Sequence, residues 1–281
     1  MIQIPIIGAF LEAAGMILEK KVLRNKRINY KNYTVYEFLA IVLVMIPILF
    51  FTWKIGSGAF STKNILIFSF VILVSVIANL LIFFSLKREN VTEFESVWVA
   101  QPLFTIILAF ILFQSERKIS LAIFAFVASI ALLISHIEKH HLKFDKYIIA
   151  AILGSFLFSV ELIASNLILK YYNPFTFYFI RSFFIFLITF AMFRPSGNEL
   201  KNKSLLTTIL IIGLIWALYR AIIYYGYQTL GVIFTTTIFI LSPVLIFLFA
   251  IIFLKEKPTK KQVLSTLIIT LCVIASLIFG K

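Results

Sequence analysis

"QPLFTIILAFILFQSERK" (101–118) and "SPVLIFLFAIIFLKEKPTK" (242–260) follow one pattern. Each opens on a polar residue and a proline, runs on through apolar residues, and ends on a glutamate with a basic neighbour. Pro102 and Pro243 stand half a chain apart in a sequence of 281 residues, and one last apolar segment follows each stretch, at 119–137 and 262–279. The pattern marks an internal repeat. Charges, prolines and polar clusters cut the chain into ten apolar segments: 2–19, 33–53, 64–86, 91–113, 119–137, 147–169, 174–193, 204–227, 229–254 and 262–279. Runs of about 20 apolar residues cross a hydrocarbon core of about 30 Å. In lipid each must satisfy its own backbone hydrogen bonds, so each is predicted to be a helix.

The fold predicted is therefore an all-α membrane protein with ten transmembrane helices in two five-helix repeats. The first repeat covers 1–140 and the second 144–281, joined through "HIEKHHLKFDK" (136–146). Five is odd, so the second repeat must lie upside down relative to the first. Inverted repeats are a mark of secondary transporters, whose sites lie near the midplane between halves. Pro102 and Pro243 are candidate hinges, because a proline inside a helix removes a hydrogen bond and opens a kink.

Composition agrees. The chain is 62% hydrophobic and 14% charged, where soluble domains carry about 25% charge. The net charge of +14 fits basic loops facing anionic lipid; no nucleic-acid motif accompanies it, so nucleic acid is not an expected partner. The lone Cys272 excludes an intramolecular disulfide. The N-terminus lacks a basic leader and a small-residue cleavage site, and reads as a first membrane helix. His136, His140 and His141 read as a solvated loop, and no metal site is expected. No catalytic signature is present, so no enzyme activity and no cofactor are expected.

Ionisable groups inside a membrane helix cost about 2.5–3.5 kcal/mol each and mark a pathway by default. Glu12, Glu161, Arg181 and Arg220 are such groups. Glu12 and Glu161 are expected at similar depth in inverted helices; the alternative is that they serve only as partners of the arginines. Arg181 lies near a helix start, where it could snorkel to the interface. In the eighth segment Trp216, Tyr219, Arg220 and Tyr224 recur at helical spacing, and such rings can cage a cation. In the fourth segment Glu95, Trp98 and Gln101 share a face, and Asn79 in the third is a further polar candidate.

On these residues the chain resembles the drug/metabolite transporter superfamily, in particular its ten-helix EamA-type members. The two Pro-to-Glu hairpins ending "FQSER" and "FLKEK" carry the resemblance most specifically. The first segment, "GAFLEAAGMILEK", has Glu12, Gly15, Leu18 and Lys20, and is similar to the first helix of small multidrug resistance exporters. There the glutamate binds protons and cationic substrates in alternation. The resemblance implies proton-coupled export of a small organic metabolite or cation by alternating access, with the proton as coupling ion. An arginine at the site would instead suit an anionic or zwitterionic metabolite such as an amino acid, held by Arg220; a non-transporting membrane receptor is a third reading. The expected partners are the lipid bilayer and a small-molecule substrate. A monomer suffices, and an oligomer is compatible. The plasma membrane is the expected location. The loops between segments 1–2, 3–4, 5–6, 7–8 and 9–10 carry most of the lysines and arginines, so the positive-inside rule puts both termini outside. The resemblance implies both in the cytoplasm.

Overall fold

The computed structural model describes residues 3–88, 94, 97–98, 100–117, 119–136, 145–242, 244–245 and 260–279. The helices are α1 (Gln3–Leu23), α2 (Tyr30–Thr52), α3 (Thr62–Arg88), α4 (Ala100–Leu112), α5 (Ile119–His136), α6 (Lys146–Leu169), α7 (Pro174–Phe193), α8 (Lys203–Leu230), α9 (Val232–Phe239) and α10 (Lys260–Phe279). Helical residues also precede α4 at 97–98 and follow α9 at 241–242 and 244–245. Pro243, Glu95, His140 and His141 lie outside the described residues. Among the described residues, α2, α3, α6, α7 and α8 are long and apolar enough to cross a membrane by the strictest reading of length and charge.

Short polar residues set the helix starts. Asn29 accepts from the Lys31 amide, Asp145 from Tyr147 and Ile148, Asn173 from Phe175 and Asn202 from Leu205. Each supplies an acceptor to amides that have no partner in the first turn, and Pro174, just after Asn173, loses nothing at that position.

Polarity is turned inside out relative to a soluble protein. Phe51 is 92% exposed, and Leu66, Leu73, Ile119 and Leu271 also face outward. Glu12, Glu19, Glu37, Glu161, Arg181 and Arg220 are buried. An apolar exterior around a charged interior is what a lipid solvent selects.

The helices pair across the repeat boundary. α1 packs on α8 and α3 on α6, and α2 packs on α7, α4 on α9 and α5 on α10. Each contact has its counterpart when the halves are exchanged, as a two-fold axis between inverted repeats requires. Matching hydrogen bonds fix the register. Lys87 Nζ at the end of α3 donates to the carbonyls of Leu23 (2.7 Å) and Asn25 (2.8 Å) at the end of α1. Gln228 Nε2 near the end of α8 donates to those of Leu169 (2.7 Å) and Tyr172 (3.0 Å) at the end of α6. The rings of Tyr33 and Phe83 meet edge to face at 5.1 Å, and those of Phe177 and Tyr224 do the same at 5.1 Å.

Two features tie the halves at their rims. Glu116, in the turn after α4, accepts from the amides of Val232 (2.7 Å) and Ile233 (3.2 Å), so a carboxylate from the first half caps α9 of the second. Its negative charge suits the positive end of a helix. Gly231 sits at φ 89°, where a Cβ would come 2.7 Å from Glu116 Oε1, so glycine is needed for this cap. Elsewhere Glu199 accepts from Asn32 Nδ2 (3.0 Å) and from the Tyr36 hydroxyl (2.7 Å), tying the α7–α8 connection to α2. Partial burial opposes the Glu199 charge, but the two donors outweigh it and hold its carboxyl below the usual carboxylate range.

Candidate functional site between the halves

The second half builds a closed charged cage. Glu161 on α6 is fully buried. Its Oε1 lies 3.2 Å from Arg181 Nε on α7, and its Oε2 3.4 Å from Arg220 Nη2 on α8. Ser165 Oγ (2.8 Å) and the Tyr224 hydroxyl (3.1 Å) donate to Oε1. Arg181 Nε also donates to Ser75 Oγ on α3 at 2.9 Å. The Arg220 guanidinium lies 4.1 Å from the Phe158 ring centroid and that of Arg181 5.5 Å from Tyr178, cation–π contacts that help cover the charge. Arg220 Nη1 finds no acceptor among the described residues.

Glu12 on α1 is outside this cage. It faces a cavity in which Tyr219, Ser242 and Trp98 surround its carboxyl group, with Arg220 acting only at longer range. The same cavity is walled by Gln101 and Pro102 of α4 and by Tyr227 of α8. It leaves about 30 Å³ to the centre of a water molecule, room for about two waters. Gly15, one turn along α1, lets the helix approach α8: a Cβ there would come 3.1 Å from Ile215 and 3.3 Å from Trp216.

A second cavity, of about 40 Å³ on the same measure, adjoins the first through Met16, Trp98, Phe158 and Tyr219, which line both. Here Glu19 on α1 and Glu37 on α2 lie side by side. They are 3% and 4% exposed. The Tyr33 hydroxyl donates to Glu19 Oε1 at 3.2 Å. Asn79, Trp216, Arg181 and Arg220 complete the wall.

The family model for the EamA-like transporter family matches twice, over residues 2–136 and 145–278. The chain belongs to the EamA-like transporter family. A search of curated proteins returns no match. A crystal structure described only as that of a protein superposes with a TM-score of 0.71 at 14% identity, covering 99% of this chain and 98% of its own. That likeness extends to the fold. The chain is thus a multi-pass membrane transporter of the drug/metabolite superfamily, built as two inverted five-helix repeats.

Within this EamA-like fold, the residues singled out from sequence separate into two groups. Glu12, Trp98, Gln101, Tyr219 and Pro102 meet at the first cavity, while Asn79, Trp216, Arg181 and Arg220 line the second. Trp98 and Tyr219 belong to both. Glu161 and Tyr224 line neither and are spent on the charged cage. Arg181 does not snorkel to the interface: it is 1% exposed and engaged with Glu161 and Ser75.

The register of the two repeats gives the relative depth of Glu12 and Glu161. With Leu23 matched to Leu169 by the equivalent helix-end bonds, the counterpart of Glu12 is Phe158 and that of Glu161 is Gly15. The two glutamates are offset by three residues, about 4.5 Å along a helix. By the same register Glu19 corresponds to Ser165 and Asn79 to Arg220. The equivalent caps Asn29 and Asn173 pair Glu37 with Arg181.

Glu19 and Glu37 escaped the sequence reading. The cluster Glu19–Lys21 reads as the end of a helix, but α1 continues to Leu23. It can do so because Tyr33 donates to Glu19 and Lys20 Nζ donates to the Leu86 carbonyl at 2.6 Å, so the charges are met inside the bundle. Glu37, seven residues into α2, carried the signal of any intramembrane acid.

Proposed function

We propose that the protein is a secondary active transporter at the plasma membrane that exports a small organic metabolite or cation in exchange for protons. The observation that carries this reading is the position of Glu12. Its carboxyl group faces a cavity between the halves and has no arginine partner, while the other carboxylate of the original pair, Glu161, is neutralised by two. A carboxylate free to take either a proton or a cationic group couples the two by competition, without a second site. Trp98, Tyr219 and Tyr227 supply ring faces and polar tips around it, suited to a cation or a flat organic group.

Both cavities have room only for a few waters in this conformation, so a metabolite enters by separation of the helices that wall them. Pro102, on the cavity wall in the first turn of α4, is the point about which that helix would pivot.

A second reading, an anionic or zwitterionic substrate, rests on Arg220 Nη1, a buried donor that has no acceptor among the described residues and borders the second cavity. The experiment is uptake of a panel of amines, amino acids and organic anions into proteoliposomes carrying an imposed pH gradient. Glu12→Gln is expected to fold, to keep its elution profile in detergent, and to lose gradient-driven transport by about tenfold or more, at least ~1.4 kcal/mol of coupling. Wild-type coupling in that variant would refute the role of Glu12. Saturable uptake of anions alone would favour Arg220.

A further inference from the structure

We propose that Glu19 and Glu37 form a second proton-binding site, separate from Glu12, that passes protons between Glu12 and the end of the bundle where α1 ends and α2 begins. The proposal deepens the proton-coupled reading above and rests on it for the link to transport, though the occupancy of the pair by a proton does not.

Three observations converge. First, the two carboxyl groups are in contact and at least 96% buried. Two acids that share a dry site cannot both be charged without repulsion, and a single shared proton turns the contact into a hydrogen bond. Second, the cations nearest the pair are engaged by other groups, and Arg220 acts on Glu37 only at longer range. On α1, Lys20 is directed to the Leu86 carbonyl. On α2, Tyr33 donates one hydrogen bond to Glu19. From α7, Arg181 is engaged by Glu161 and Ser75, with Tyr178 beside it. From α8, Arg220 is paired with Glu161, and Tyr219 faces Glu12. α3 contributes the neutral Asn79, whose amide donates to the Ser75 carbonyl.

Third, the cavity beside the pair is bordered by polar atoms that no group among the described residues satisfies, Glu37 Oε2 and Arg220 Nη1, while the Trp216 indole is within hydrogen-bond reach of Glu19. Glu37 and Arg220 are both more than nine-tenths buried. Buried polar atoms normally have partners, and about 40 Å³ holds about three waters with two to four partners each. A short water chain there links the pair to the cavity of Glu12 through the shared wall at Trp98 and Tyr219. The proton moves along it from one carboxyl oxygen to the next; no bond other than O–H forms or breaks, and no oxidant or co-reactant is needed. The same space excludes an organic cation in this conformation, which leaves the proton as the occupant.

The test is infrared titration of the purified protein in the carboxylic acid region, done in a Glu12→Gln background so that the first site is silent. A protonated carboxyl signal is expected to persist near neutral pH, and to disappear or move when Glu37→Gln or Glu19→Gln is added. In proteoliposomes Glu37→Gln is expected to slow gradient-driven uptake about tenfold while exchange of substrate at equal pH stays within about twofold. Absence of any protonated carboxyl at neutral pH in the Glu12→Gln protein overturns the proposal, with no dependence on how the pair variants fold. So does wild-type gradient-driven uptake in Glu37→Gln, or uptake driven by a sodium gradient at equal pH. A Glu12→Gln protein that keeps proton coupling while the pair still titrates would sink the role of Glu12 and leave the pair standing.

Discussion

At one end of the bundle Glu161, Ser165, Arg181, Arg220 and Tyr224 make a closed cage; at the other, the equivalent positions hold Gly15, Glu19, Glu37, Asn79 and Phe83. The backbones match closely enough that the ring pairs Tyr33–Phe83 and Phe177–Tyr224 have the same 5.1 Å spacing. The charges do not match. The second half carries two cations around one acid, met by hydrogen bonds and by aromatic faces. At the equivalent positions the first half carries two acids in contact with each other. Duplicated architecture has thus been given one end where opposite charges are paired and one where like charges meet. A cage of paired charges braces helices; two acids in contact can change their proton count during a transport cycle.

The largest effect is expected where the paired cage is broken. Glu161→Gln leaves Arg181 and Arg220 without a counter-charge in a dry interior, and breaking such a pair costs about 3–5 kcal/mol. A large drop in the unfolding temperature of the detergent-purified protein is expected; a drop of a degree or two would mean that the cage is not a brace. The opposite end sharpens the contrast. Glu37→Gln removes one of two like acids and keeps the side chain's shape, so its stability is expected to change by less than about 1 kcal/mol, the net worth of a typical hydrogen bond. Equal damage from the two variants would erase the distinction.

The smallest effect concerns the rim. Glu199, held below the usual carboxylate range by Tyr36 and Asn32, gives stability that is present above its unfolded value of about 4.3. That stability is lost as pH falls through the lower folded value. The difference in unfolding temperature between wild type and Glu199→Gln should therefore be constant at neutral pH and shrink below about pH 4. A difference that grows on acidification would contradict the clamp.

Much of this was legible from sequence because lipid imposes hard rules. Long apolar runs have to be helices, and the Pro-to-Glu repeat with an odd helix count fixes inversion. Helical spacing put Trp98 with Gln101 on one face and Trp216 with Tyr219 on another, and the structure brings Trp98, Gln101 and Tyr219 to the cavity of Glu12. What spacing does not carry is partner choice. Nothing in the order of residues says that Glu161 takes both arginines, because that depends on where α6, α7 and α8 converge. Nor does spacing carry exact depth: it was counted from apolar segment starts, whereas the protein sets its register at helix ends through Lys87 and Gln228, which offsets the two glutamates by three residues. Glu19 was hidden by its neighbours: a charged cluster reads as water-exposed unless the partners waiting inside the bundle are known.

The Glu116 cap has a bearing on assembly. A carboxylate from one repeat closes the first turn of a helix in the other, and α1 and α3 find their main packing partners in the opposite repeat. The duplicated units are therefore laced together like two hands with fingers crossed. Severed between them, neither fragment would bury its own polar stripe, and the first to be synthesised must wait in the membrane, half dressed, for the second.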